Sequence, residues 1–60
     1  MLEVTEIGQE ERLKTLIPID KILYINEDVA GSLFYLDGEY SILVVESLET
    51  IKRLIEQHYE

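Results

Sequence analysis

Leu33-Phe34-Tyr35-Leu36-Asp37-Gly38-Glu39-Tyr40-Ser41-Ile42-Leu43-Val44-Val45 places two apolar runs on either side of an Asp-Gly pair. A type I′ hairpin turn needs positive φ at two successive residues, and Asp-Gly supplies them at low steric cost. The stretch therefore predicts a β-hairpin with strands over about 32–36 and 40–45. Large apolar side chains fall at odd and even positions alike in Leu33–Leu36 and Ile42–Val45, and again in Ile22–Ile25. Neighbouring strand residues point to opposite faces, so a sheet with one wet face should alternate apolar and polar. Here both faces call for burial.

Working outward, Leu2-Glu3-Val4-Thr5-Glu6-Ile7 alternates and predicts a first strand over about 2–7, with Leu2 and Val4 on one side. Gly8-Gln9-Glu10-Glu11 supplies a turn, and a second strand is expected over about 12–17. It ends at Pro18, which has no amide hydrogen for a ladder. Ile19-Asp20-Lys21 reads as a bend, a third strand is expected over about 22–26, and Glu27-Asp28-Val29-Ala30-Gly31 as a loop. If strand parity holds, Tyr24 shares a face with Ile22, and Leu33 and Tyr35 face away from Phe34 and Leu36.

After Val45 the period changes. Leu48, Ile51, Leu54, Ile55 and His58 recur at spacings of three and four, which predicts a helix over about 48–58 with one apolar stripe. Ser47 offers its hydroxyl as the N-cap. Thr50 stands where Glu or Gln would complete a capping box, and Glu49 favours the positive end of the helix dipole. Glu49, Lys52, Arg53 and Glu56 form a solvated outer face. The connections are too short for parallel crossovers. The expected fold is α+β: a single domain over residues 1–60, with a twisted antiparallel β-meander of four or five strands and one C-terminal helix packed on one face.

A chain of 60 residues buries roughly 60% of its unfolded surface and has a marginal core. Chains this small usually carry a staple. There is no cysteine for disulfides, and His58 is the only histidine, so no structural metal set is expected. Self-association is the remaining staple. We expect a homo-oligomer, with a dimer the expected form, and contact with another protein. Tyr24, Leu33, Tyr35 and Tyr40 are the candidate interface residues, since tyrosine buries ring area while keeping its hydroxyl wet or bonded.

Thirteen Asp and Glu against five Lys and Arg give a formal charge of −8, which disfavours nucleic-acid and anionic-membrane surfaces. No run approaches the length of a membrane span, and the acidic start lacks the basic region of a signal peptide. A cytoplasmic location is expected. At 47% hydrophobic content the chain is not a disordered acidic tail.

Catalytic signals are thin. His58 lies at the helix end, where backbone carbonyls can satisfy it, and the adjacent acids Glu10-Glu11 and Glu27-Asp28 do not converge on one substrate. Asn26–Gly31 echoes a calcium loop, with Gly31 sixth and Asp37 twelfth, but Ala30 occupies the fifth ligand place. No catalytic, cofactor-binding or metal-binding residue is assigned. The expected role is a non-catalytic interaction module that regulates or scaffolds another protein. An acidic mimic of nucleic acid, inhibiting a DNA- or RNA-binding protein, is the alternative that net charge suggests.

Leu2-Glu3-Val4-Thr5, Ile19-Asp20-Lys21-Ile22, Leu36-Asp37-Gly38 and Val45-Glu46-Ser47-Leu48-Glu49-Thr50-Ile51 occur in this order over most of the chain. In this the chain resembles the small flagellar FlbD-type proteins and related short phage-encoded β-rich proteins. It departs from them at Gly8-Gln9, where an Asn-Gly turn is usual, and at Glu39, where a basic residue is usual. The resemblance implies a small β-rich fold with a helix, no catalytic residues, and a flagellar accessory role as a further alternative.

Overall fold

The computed structural model describes residues 1–59. Five strands precede one helix: β1 Leu2–Ile7, β2 Arg12–Ile17, β3 Ile22–Asp28, β4 Gly31–Leu36, β5 Tyr40–Val44 and α1 Leu48–His58. All pairings are antiparallel, in the order β2-β1-β5-β4-β3. The fold is α+β, a β3-β4-β5 meander joined through β5 to the β1-β2 hairpin.

Register and connection length together force the sheet to curl. Val44 of β5 lies opposite Glu6, near the far end of β1, so the meander is displaced along the strands from the β1-β2 hairpin. On a flat sheet the ends of β2 and β3 would be separated by four strand spacings, about 19 Å, and by further distance along the strands. The link from Ile17 to Ile22 has five Cα steps, which reach at most about 18 Å. The link also contains a turn of 3₁₀ helix at Ile19–Lys21, closed by Lys21 N donating to the Pro18 carbonyl at 3.1 Å. The sheet must therefore fold over itself, bringing the inner sides of both halves onto one core.

That core consists of Leu2 and Val4 from β1, Ile17 from β2, Phe34 from β4, Val44 from β5 and Ile51 from α1. Ile22, Ile25, Leu36, Ile42, Leu54 and Ile55 pack around it, partly buried. Ser32 is the one buried polar residue among those described, and its hydroxyl donates to the Glu46 carbonyl at 2.8 Å. Ser47 caps α1, its Oγ accepting from Thr50 N at 3.2 Å. His58 falls on the stripe by spacing but is exposed, its ring meeting Tyr59 edge-on at 5.1 Å.

Three local expectations are corrected. Leu36 pairs with Tyr40, and positive φ occurs at Gly38 (90°) and Glu39 (66°) rather than at Asp37 and Gly38. The hairpin therefore closes through the three residues Asp37, Gly38 and Glu39, not a two-residue type I′ turn. The expected loop from Glu27 to Gly31 shrinks to Val29 and Ala30, because Asp28 pairs with Gly31 and its Oδ2 accepts from Ala30 N at 3.0 Å. A side-chain hydrogen bond of this kind stabilises a tight turn without a longer loop.

The third correction concerns facing. Ile22 pairs with Leu36 but Tyr24 pairs with Tyr35, so Leu23 is an extra residue on β3. A bulge of this kind shifts strand parity by one. Tyr24 thereby joins Tyr35 on the outer face, and Ile22 stays with Leu36 on the inner face.

Candidate functional site

Residues directly opposite across a sheet share a face, so the register defines the surface that α1 leaves uncovered. Ser32, Phe34 and Val44 are fully buried on the inner side. Their neighbours in the chain, Leu33, Tyr35 and Leu43, therefore point outward. Leu33 lies between Asn26 and Leu43, and Tyr35 between Tyr24 and Ser41. These six outward positions carry no charge, in a chain whose formal charge is −8.

The two tyrosine rings stack, with centroids 4.5 Å apart and planes inclined by 23°. Offset stacking of this kind adds about 0.5–1.5 kcal/mol beyond area burial. Tyr24 nevertheless remains 55% exposed, since no other part of the chain covers it. Tyr40 pairs with Leu36, so its parity is that of the inner face. At the end of the sheet it is 69% exposed, and it reaches the same hollow as Tyr24 and Tyr35. That hollow has a volume of about 260 Å³ and is completed by Leu23, Leu36, Glu39 and Ser41.

Of the four residues expected at an interface, three thus line one depression, and Leu33 lies on the same outer face beyond it. Sequence reasoning missed Leu43 and Leu23. Leu43 was hidden by the turn type, since a two-residue turn at Asp37-Gly38 would have set Ile42 opposite Leu33. Leu23 was hidden too, because nothing in Ile22-Leu23-Tyr24 signals a bulge.

A second depression, of about 250 Å³, runs between α1 and β3. Ile25, Leu48, Ile51 and Ile55 form its apolar lining, with Lys52 and Glu56 on its helical side. It lies on the opposite side of β3 from Tyr24, and it was not anticipated. It lies where α1 packs over β4 and the edge strand β3, with Ile25 of β3 facing the apolar stripe of the helix.

Among the described residues no three His, Asp or Glu side chains converge to hold a metal ion, and no helix is long and apolar enough to cross a membrane. Glu10 and Glu11 are exposed together in the β1-β2 turn, and His58 is exposed at the end of α1. Asn26–Gly31 forms the β3-β4 hairpin, whereas a calcium loop of that type is flanked by helices. Comparison with protein-family models, with curated proteins and with solved structures returns no match.

Proposed function

We propose that this chain is a non-catalytic interaction module that self-associates through the outer face of its sheet and so presents its remaining surface to another protein. The observation that carries the reading is the uncharged patch formed by Leu33, Leu43 and the stacked Tyr24 and Tyr35. Monomeric proteins rarely leave contiguous apolar areas beyond a few hundred Å² uncovered. The patch also suits a like-charged partner. Two copies, each at −8, repel through most of their surfaces, but they can approach where the charge is absent. Face-to-face packing of two such patches is isologous, and gives a closed dimer.

The test is solution mass by light scattering across a hundredfold dilution, at low and moderate salt. At moderate salt, where contacts between charges are screened, the mass is expected to stay at a fixed multiple of 7.0 kDa, held by apolar contact. Leu33→Glu should lower that mass while the circular dichroism spectrum stays native. A wild-type monomer at every concentration, or a Leu33→Glu protein of unchanged mass, would overturn the reading.

A further inference from the structure

The strand order leaves β2 and β3 as the two edges of the sheet, and their charges are opposite. Arg12-Leu13-Lys14-Thr15-Leu16-Ile17 contains two of the five basic residues and no acid. Ile22-Leu23-Tyr24-Ile25-Asn26-Glu27-Asp28 contains two acids and no base. A strand edge bearing lysine normally deters pairing with a copy of itself. Opposite an acidic edge, the same lysine selects the partner.

We infer that β2 of one copy adds to the β3 edge of a second copy, with Leu16 entering the apolar groove beside α1. Placing β2 antiparallel to the neighbour's β3 requires a half-turn about the direction of the sheet hydrogen bonds. That rotation brings the outer side of β2 onto the side of β3 that carries the groove. Lys14 and Leu16 pair with Thr5 and Glu3, away from buried Leu2 and Val4, so they lie on the outer side of β2. Ile25 and Glu27 pair with Phe34 and Ser32, so they lie on the groove side of β3.

With Leu16 opposite Ile25, Lys14 falls opposite Glu27. Leu16 is 62% exposed in the single chain, and the groove of about 250 Å³ lined by Ile25, Leu48, Ile51 and Ile55 gives it an apolar seat. Lys14 and Glu27 are both exposed, so neither gives up an internal partner to meet the other. The bulge at Leu23 limits the regular part of the receiving edge to Tyr24–Asp28, which in this register takes Leu13–Ile17 of β2 and leaves Arg12 beyond the end of β3.

This contact is heterologous: each added copy still offers one free β2 and one free β3, so the assembly grows unless a ring closes. It uses a different surface from the outer-face dimer and stands or falls separately from it. The experiment is light scattering over a hundredfold concentration range at low salt, on wild type, Lys14→Glu, Glu27→Lys and the double variant, each checked by circular dichroism. Wild type should grow beyond the dimer as concentration rises. Each single reversal should abolish that growth, and the double reversal should restore it.

The inference is overturned by a wild-type mass that does not rise with concentration, by single variants that grow like wild type, or by a double variant that fails to recover. Leu33→Glu separates the two surfaces. It should remove the closed dimer and leave edge growth intact, and loss of edge growth in that variant would also count against the inference.

Discussion

Glu46 accepts a 2.8 Å hydrogen bond from the backbone amide of Thr5 through its side-chain Oε1, in the place where a strand carbonyl would stand. Val45 N donates to the Thr5 carbonyl at 2.9 Å, but the chain then turns away toward Ser47 and the reciprocal bond is made by the carboxylate. The two halves of the sheet share the single register pair Glu6 and Val44. This side chain therefore extends a very short seam. Removing it should leave a partly buried amide without a partner, at a cost of about 1–3 kcal/mol. Glu46→Ala is expected to lose that much in urea denaturation, while Glu46→Gln, which keeps an acceptor oxygen, should lose less than half as much.

Gly31 opens β4 where the end of β5 crosses it. A Cβ at this position would collide with the Val44 carbonyl oxygen and crowd Val45, and φ is +152°. Gly31→Ala should therefore destabilise the protein by more than about 1 kcal/mol, and should do so by separating β4 from the β5 terminus. Thermal denaturation measures the loss. Faster amide exchange at Ser32 and Val44 than at Leu36 and Tyr40 would locate it.

Glu39 holds φ at 66° in the β4-β5 turn, a conformation that costs a side chain roughly 1–2 kcal/mol relative to glycine. Glycine has more freedom to lose on folding, which offsets part of that gain. Glu39→Gly is expected to raise stability by up to about 1 kcal/mol in urea denaturation. A loss of stability would mean that the Glu39 side chain makes a compensating contact at the rim of the hollow beside Tyr40.

Much of this architecture was legible in the chain. The change from strand alternation to a three- and four-residue spacing at Leu48, and the hydroxyl of Ser47 before it, located the helix and its buried face. Pro18 marked the end of β2, and Asp37-Gly38 marked the hairpin. The turn type was misread because the chain takes positive φ at Glu39, a residue with no intrinsic preference for it. The face of Tyr24 was misread for a different reason: parity carries through a strand only while one residue opposes one residue, and Leu23 breaks that count.

The candidate surfaces divide in the same way. The excess of apolar residues on both sides of Leu33–Leu36 and Ile42–Val45 announced an uncovered face, since one helix of 11 residues can cover only one side. The groove beside α1 could not be foreseen. It depends on how far across β3 the helix reaches, a distance set by the packing of Ile51 into the core.

By itself the sequence determined the local elements and their burial pattern, because capping, turn preference and hydrophobic period act between residues a few positions apart. Tertiary structure alone decided the strand order, the curl of the sheet, the bulge at Leu23 and the carboxylate bridge from Glu46 to Thr5. Each of these depends on contacts between residues far apart in the chain. The bridge spans 41 positions, and no local preference encodes which distant amide a side chain will meet once the core has closed.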